Sequence, residues 1–179
     1  YNQALKADQS NIEAISISSY NAKENEVDSR FVNIKYVDDV NFIFFSNYNS
    51  PKAQAFNTHA QISALFFWPS INIQIRMKGK ITQTTSKYNQ SYFKKRSKDK
   101  NALAISSKQS QTISSFNKVS ENYIKVKEEN DLLACPDHWG GFSFSPYYFE
   151  FWEGHKSRLN KRDRYSLRDG NWVHSILQP

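Results

Sequence analysis

The chemistry that this sequence can perform rests on basic, amide and hydroxyl side chains interleaved with aromatic ones. They are Arg30, Lys35, Lys52, Gln74, Tyr92, Arg96, Gln109, Ser110, Trp152, Arg158 and Arg162. Arginine forks and hydroxyls bind phosphate monoesters, and flat aromatic rings beside amides suit a planar heterocycle. The residue types therefore indicate a site for small phosphorylated ligands.

Each of these residues also has a purely structural interpretation. Arg30 and Lys35 fit the solvated face of an alternating strand, and the basic run 94–100 fits a solvated helix end. By residue type, Trp139 and Trp152 are more often core residues than ligand contacts. Residue types alone leave both interpretations open.

Other catalytic classes lack their signatures. His59, His138, His155 and His174 show no metal-ligand spacing, so no metal is expected. A glycine-rich phosphate loop and a Gly-x-Ser-x-Gly elbow are both missing from the sequence. A metalloenzyme, a P-loop NTPase and a serine hydrolase are therefore disfavoured.

Length and composition indicate one globular domain. The chain has 179 residues, of which 39% are hydrophobic and 15% aromatic, which is enough for a core. The net charge of +7 is compatible with nucleic acid, but no recognised nucleic-acid module accompanies the basic run, and we expect no such partner.

Compartment and membrane association are predicted from two further features. Cys135 is the single cysteine, which excludes an internal disulfide and favours the cytoplasm. No apolar run approaches the roughly 18 to 20 residues that span a bilayer, so a soluble protein is expected. Because Met77 is the only methionine, we expect residues to precede Tyr1 in the natural protein.

The elements that must position the candidate residues are mainly strands. Alternation predicts strands over 12–18, 30–36 and 72–81, and denser apolar runs predict strands over 41–45 and 62–68. Two more strands are predicted over 142–145 and 148–152, and Asp169-Gly170 marks a closing hairpin. The predicted fold is an antiparallel sheet or barrel with peripheral helices.

Three helices are predicted around this sheet. Ser50 is a good N-cap and Pro51 suits the first helical position, so one helix runs to about residue 57. A second covers 86–95. A third runs from about residue 116 to 129 with an apolar stripe, formed by Phe116, Val119, Tyr123 and Val126.

The order of the candidate residues resembles the pyridoxamine 5′-phosphate oxidase family over nearly the whole chain. The matching blocks are 28–35, 44–53, Trp68, Gln74, Ser91-Tyr92-Phe93-Lys94-Lys95-Arg96, Ser107-Lys108-Gln109-Ser110, Trp139-Gly140-Gly141-Phe142, Glu150-Phe151-Trp152-Glu153-Gly154, Arg158-Leu159, Arg162 and 177–179. The resemblance implies a single FMN-binding split β-barrel domain over 1–179, without the family's N-terminal segment. It also implies a homodimer with FMN in each of two clefts between the subunits.

The resemblance implies a role for each matched position. Arg30 and Lys52 would bind the FMN phosphate, and Gln109 and Ser110 would reach it from the partner subunit. Further FMN contacts are implied for Phe45, Ser46, Gln74, Trp152 and Arg162. Lys35, Tyr92 and Arg96 would hold the phosphate of a B6 vitamer, and Arg158 would lie against its pyridine ring. Tyr92 and Arg96 are four residues apart, so a helix would place both on one face. The implied reaction oxidises pyridoxamine or pyridoxine 5′-phosphate to pyridoxal 5′-phosphate, with oxygen as acceptor and hydrogen peroxide as product.

Four positions depart from the family pattern. Pro51 stands where the family usually has an arginine, and Lys100 replaces a serine of the substrate-phosphate loop. Asn160 replaces the histidine of an Arg-Leu-His element, at a position implied to be catalytic with Arg158, and Lys161 replaces an aspartate. Two functions therefore stay open: a working oxidase, or a divergent FMN- or vitamer-binding paralogue that lacks this activity or acts as a flavin reductase.

Overall fold

One antiparallel sheet organises the molecule in the computed structural model, which describes residues 1–179. The strands are β1 (Ala14–Asn21), β2 (Glu26–Asn33), β3 (Tyr36–Asp38), β4 (Asn41–Asn47), β5 (Gln61–Trp68), β6 (Ile73–Gln83), β7 (Trp139–Glu153), β8 (Lys161–Arg168) and β9 (Asn171–Ile176). The helices are α1 (Asn2–Lys6), α2 (Pro51–Thr58), α3 (Ser86–Lys95), α4 (Lys98–Ser106) and α5 (Phe116–Glu129), with a 3-10 turn at Pro69–Ile71. None of these helices is long and apolar enough to cross a membrane.

The long strand β7 splits the sheet. Along one side it pairs with β6 from Phe142 to Glu153, whereas on the other side its first part pairs with β4 and its last part with β8. The strand order is β2-β1-β5-β6-β7-β4-β3, with β8 and β9 branching from β7. The predicted mainly β fold with peripheral helices is confirmed.

The core lies on the inner face of this curved sheet. Alternation along β1 buries Ile15 and Ile17, as period-two patterning requires. Phe44, Phe142 and Phe144 are almost fully buried against them, and Phe44 stacks on Phe142 with ring centroids 5.6 Å apart. Such aromatic burial dominates the energy that closes the barrel.

The predicted strand over 30–36 is wrong at its C-terminal half. β2 ends at Asn33 and β3 begins at Tyr36, because the chain changes pairing partner between them. The N–H of Ile34 donates to the carbonyl of Glu13, whereas the N–H of Lys35 donates to that of Ile43. A change of partner strand leaves no signature in side-chain alternation.

The two strands predicted over 142–145 and 148–152 are one continuous strand. Lys78 is paired with Tyr148 but Gly79 with Pro146, so the extra residue Tyr147 forms a bulge. Proline is tolerated there because the ladder is already interrupted. Gly79 lies on β6 opposite this bulge. A larger residue would fit poorly there, because an added Cβ would lie only 2.9 Å from the carbonyl oxygen of Ser145.

The helix predictions are correct in position and incomplete in detail. α2 begins at Pro51 as predicted, but the hydroxyl of Ser50 makes no capping bond and instead donates to the carbonyl of Asn47 at 2.7 Å. α4 is not predicted from the sequence. α5 is present, yet no residue of it is buried and Phe116 is 80% exposed, so its stripe is not a core face.

The closing hairpin at Asp169-Gly170 is confirmed. Both residues have positive φ, 48° and 80°, which is the geometry of a type I′ turn.

Candidate functional site

Most of the candidate residues line one cavity of about 740 Å³ between β2, β4, α2, α3 and the loop after α4. They are Arg30, Lys35, Phe45, Ser46, Lys52, Tyr92, Arg96, Lys100, Gln109 and Ser110. The cavity also includes the side chains of Lys95 and Trp139. Residues far apart in the sequence are therefore brought together by the fold.

Lys52 lies at the base of this cavity with only 8% of its surface exposed. Its Nζ donates to Ser50 Oγ and to Gln109 Oε1, both at 3.1 Å, and forms no ion pair with a carboxylate. Ser46 Oγ donates to the same Gln109 oxygen at 3.1 Å. Burial, with a smaller contribution from the charge of Arg30, lowers the pKa of Lys52 from 10.5 to about 8. An anion beside Lys52 would relieve this unfavourable state.

Gln109 belongs to the same chain as the lysine that it contacts. The prediction that Gln109 and Ser110 approach the phosphate region from the partner subunit is therefore wrong. Both residues follow α4, whose end delivers the loop to the cavity. Because α4 was not predicted, this route could not be predicted from the sequence.

Arg30 is turned into the cavity and is not a residue of a solvated strand face. Its side chain is 19% exposed, and Nη1 donates to Ser19 Oγ at 2.7 Å and to the carbonyl of Ile17 at 3.3 Å. Nη2 is paired with Asp28. Lys35, in contrast, is exposed between β2 and β3 and reaches the cavity from its rim.

Three nearly parallel aromatic rings form one wall. The ring centroids of Phe45 and Tyr92 lie 3.7 Å apart at 16°, and those of Phe45 and Trp139 lie 5.3 Å apart at 13°. The Arg96 guanidinium lies over Trp139, 4.3 Å from its ring centroid. Such a cation–π contact holds the guanidinium flat while leaving its edge for an anion.

Arg96 lies just beyond the end of α3, held there by Asn101. The Asn101 side chain is fully buried, donates to the carbonyls of Phe93 and Leu132 at 2.9 and 2.8 Å, and accepts from Arg96 Nη1 at 3.2 Å. Asn101 is not among the candidate residues predicted from the sequence. Its function here is to lock the corner between α3 and α4, which no spacing rule reveals.

The predicted pair of Tyr92 and Arg96 does meet in the cavity. α3 ends at Lys95, so the pair is not on one helical face in the strict sense, but both side chains border the same space. Burial raises the pKa of Tyr92 and lowers the pKa of Arg96. Arginine remains charged at neutral pH in spite of such a shift.

A second set of candidate residues lies outside the cavity. Gln74, Trp152 and Arg162 form a cross-strand row over β6, β7 and β8, because Trp152 is paired with each of the other two. Cross-strand partners project on the same face of a sheet. These three side chains therefore form one surface, separate from the cavity within a single chain.

Arg158 and Asn160 lie in the turn between β7 and β8. Arg158 is exposed and has a positive φ of 61°. The side-chain oxygen of Asn160 accepts a hydrogen bond from the N–H of His155 at 3.0 Å and so closes the turn. Neither residue lines the cavity of its own chain.

The donor set of the cavity fits a phosphate monoester. Lys52 is a buried cation that contacts only neutral acceptors, and Arg30, Arg96 and Lys100 add charge around the same space. Lysine, arginine and hydroxyl groups are the usual ligands of a phosphate dianion. The parallel aromatic wall gives this anionic site a flat apolar neighbour.

The fold and cavity define a split β-barrel with a cationic, aromatic-lined cleft. A family profile described as pyridoxamine 5′-phosphate oxidase matches residues 2–122, and one described as pyridoxine 5′-phosphate oxidase C-terminal dimerisation region matches residues 139–179. The chain therefore belongs to the pyridoxamine 5′-phosphate oxidase family.

Two relatives illustrate this similarity. The chain is 37% identical to pyridoxine/pyridoxamine 5′-phosphate oxidase 1 of Hydrogenovibrio crunogenus, over 98% of this chain and 83% of the relative. It is 32% identical to the pyridoxine/pyridoxamine 5′-phosphate oxidase of Herminiimonas arsenicoxydans, over 100% of this chain and 85% of the relative.

Solved structures confirm the split-barrel fold. PhzG of Burkholderia lata 383, in complex with tetrahydrophenazine-1-carboxylic acid, superposes with a TM-score of 0.93 at 22% identity, over 99% of this chain and 88% of that chain. A pyridoxamine 5′-phosphate oxidase-related, FMN-binding protein of Nostoc punctiforme superposes with a TM-score of 0.83 at 12% identity, over 99% and 95%. At these identities the likeness concerns the fold alone.

Proposed function

We propose that this protein is an FMN-dependent oxidase that converts pyridoxamine or pyridoxine 5′-phosphate to pyridoxal 5′-phosphate, with oxygen as acceptor and hydrogen peroxide as product. The observation that carries the proposal is the buried Lys52, which has no anionic partner at the base of a cationic, aromatic-lined cavity. Family membership supplies the reaction class.

The inner part of the cavity holds the cofactor phosphate. Lys52 and Arg30 provide its positive charges, and the hydroxyls of Ser46 and Ser110 and the amide of Gln109 provide polar contacts. Pro51, which lacks the side chain of an arginine, leaves Lys52 as the one cation of this helix start. Phe45 packs beside the same space.

The outer part holds the substrate phosphate. Arg96 is fixed there by Trp139 and Asn101, and Tyr92 lies on the adjoining wall. Lys35 and Lys100 are exposed at the rim, where a lysine acts as a mobile point charge. A rigid arginine and mobile lysines together favour a dianionic group over a neutral one.

A second copy of the chain completes each site. Gln74, Trp152, Arg158 and Arg162 do not reach the cavity of their own chain, so we assign them to the cavity of the partner in a homodimer. The match of residues 139–179 to a dimerisation region supports this arrangement, since three of these residues fall within it. A cleft built from two chains also excludes water better than an open cavity.

The catalytic contribution of the chain is orientation. The cofactor that these residues would hold, FMN, would supply an acceptor for a hydride equivalent and a route for the electrons to oxygen. Arg158 orients the pyridine ring of the substrate. Asn160 cannot exchange a proton, and its oxygen is engaged by the N–H of His155, so it shapes the turn that carries Arg158.

The amide side chain of Asn160 favours an alternative function. With an amide in place of a titratable ring at residue 160, the protein can bind flavin and vitamer without oxidising the vitamer, or can act as a flavin reductase. The cytoplasm remains the predicted location for either activity.

The test is reconstitution followed by turnover. The purified protein is loaded with FMN, and flavin absorbance, oligomeric mass, aldehyde formation and peroxide release are measured with each phosphorylated vitamer. Stoichiometric aldehyde and peroxide support the oxidase. A yellow dimer that yields neither product supports the alternative, and a protein that binds no FMN refutes both.

A further inference from the structure

The carboxylate of Glu150 is the most deeply buried charged group next to the surface formed by Gln74, Trp152 and Arg162. Only 2% of its side chain is exposed, and it lies in the C-terminal part of β7. Its Oε1 accepts from Arg162 Nε at 3.0 Å and from Arg162 Nη2 at 2.8 Å. Its Oε2 accepts from Arg76 Nη1 at 2.9 Å and from the Tyr148 hydroxyl at 2.8 Å.

This network keeps Glu150 ionised inside the sheet. Burial on its own would raise the pKa of Glu150, but hydrogen bonds from Tyr148 and Arg162 and the charge of Arg76 outweigh it and lower the pKa. A buried carboxylate with both oxygens paired is held in one orientation. The side chains that donate to Glu150, including that of Arg162, are therefore held in one orientation as well.

Arg162 is fixed from two sides. Besides its bonds to Glu150, it donates from Nη1 to the carbonyl of Gln178 at 2.9 Å, and its own carbonyl accepts from the N–H of Leu177 at 2.9 Å. A guanidinium has five N–H donors, so one N–H on each terminal nitrogen is left unused by these contacts. Arg162 neighbours Trp152 in the cross-strand row that also contains Gln74.

We propose that Glu150 is a positioning residue of the cofactor site, which acts by holding Arg162 in the orientation that offers its two remaining N–H groups to FMN. This inference rests on the proposed function. Glu150 itself does not touch the cofactor. Its effect on FMN binding passes through Arg162.

The expected result is a loss of FMN affinity in Glu150→Gln. Glutamine keeps the shape but loses the charge, and its NH2 group faces donors on at least one side. We expect the dissociation constant for FMN to rise about tenfold, the loss of one charge-assisted hydrogen bond. Glu150→Asp withdraws the carboxylate by one methylene and should give a similar rise.

The experiment measures FMN binding and not turnover. Flavin fluorescence quenching on the FMN-free protein gives dissociation constants for the wild type, Glu150→Gln, Glu150→Asp, Arg162→Met and the double variant Glu150→Gln/Arg162→Met. Thermal unfolding without FMN gives the structural effect of each substitution. Asp163→Asn is the matched control, because Asp163 lies next to Arg162 on β8 but is paired with Lys161 and His174.

A double-mutant cycle separates positioning from structure. If Glu150 acts through Arg162, Glu150→Gln weakens FMN binding in the wild-type background and has no further effect in Arg162→Met. Asp163→Asn should leave the dissociation constant unchanged.

Four results would overturn the inference. Equal FMN affinity of Glu150→Gln and the wild type would do so while leaving the proposed function intact, as would additive effects in the cycle. Failure of both Glu150 variants to fold would assign the carboxylate a structural role only. Absence of FMN binding by the wild type would instead refute the proposed function and this inference with it.

Discussion

Replacing Lys52 by methionine should make the FMN-free protein more stable. With a pKa lowered from 10.5 to about 8, a charged Lys52 costs the folded protein on the order of 3 kcal/mol at neutral pH. The substitution removes that cost but also removes the hydrogen bonds to Ser50 and Gln109, about 1 kcal/mol each. The net expectation is a gain of about 1 kcal/mol at pH 7.

The pH dependence of this gain has a definite sign. Because the pKa of Lys52 is lower in the folded than in the unfolded chain, the unfolded chain binds more protons between pH 8 and 10.5. The FMN-free wild type therefore loses this penalty as the pH rises through that window. Lys52→Met lacks the titration, so its advantage over the wild type should disappear near pH 9, and at pH 10 the wild type should be more stable by about 1 kcal/mol.

The same substitution should weaken FMN binding. Losing a charge-assisted bond to phosphate costs about 1.5 to 3 kcal/mol, which is roughly a 10- to 100-fold rise in the dissociation constant. In the wild type, the affinity should itself fall about tenfold between pH 7 and pH 9, as Lys52 loses its proton. The variant should show no such fall.

Denaturant unfolding at pH 7 and 10 and FMN titrations at pH 7 and 9 measure both effects. Lys87→Met, at an exposed lysine on α3, is the matched control and should change neither quantity. Two results would refute this reasoning about the buried ammonium group of Lys52. One is a Lys52→Met protein that is less stable than the wild type at pH 7, and the other is a Lys52→Met protein that binds FMN as tightly as the wild type does.

Three further substitutions test other parts of the site. Arg158→Ala should lower turnover of bound substrate by at least about tenfold while sparing FMN affinity, because Arg158 is assigned to the substrate ring; steady-state kinetics and flavin titration on the same preparation decide this. Asn101→Ala should lower the free energy of unfolding by about 2 kcal/mol, since two buried carbonyls lose their donor. It should also raise KM, because Arg96 loses the side chain that holds it. Asn122→Ala on α5 is the control, and an unchanged KM in Asn101→Ala would contradict the role of Asn101 in holding Arg96. Gly140→Ala should destabilise by roughly 2 to 4 kcal/mol, because the new Cβ would overlap the Tyr48 hydroxyl and the Asn89 amide; a thermal midpoint within a degree of the wild type would contradict it.

Local patterns predicted most of the elements because the forces that set them are local. Alternation identified β1 and β6, dense apolar runs identified β4 and β5, and a helix start with proline identified α2. The predictions failed where pairing partners decide the structure. The break between β2 and β3 and the continuity of β7 through Tyr147 both depend on which strand lies alongside, and side-chain periodicity carries no such information.

The candidate residues were identified by their types and by their order in a family pattern. Spacing placed Tyr92 near Arg96, but not the stacking of Arg96 on Trp139 or its bond to Asn101. Glu150 lies in one of the matching blocks, but the family pattern implies no role for it. A carboxylate in a strand acquires meaning only when its neighbours on β6 and β8 are known.

By itself, the sequence determined that the chain is basic and strand-rich, and its ordered motifs identified the family. Tertiary structure decided where each cation stands: it buried Lys52 without a counterion, brought Gln109 to it within one chain, and separated the cavity from the surface of Gln74, Trp152 and Arg162. The physical reason is that desolvation and charge pairing depend on neighbours in space, which strand pairing selects and residue order does not.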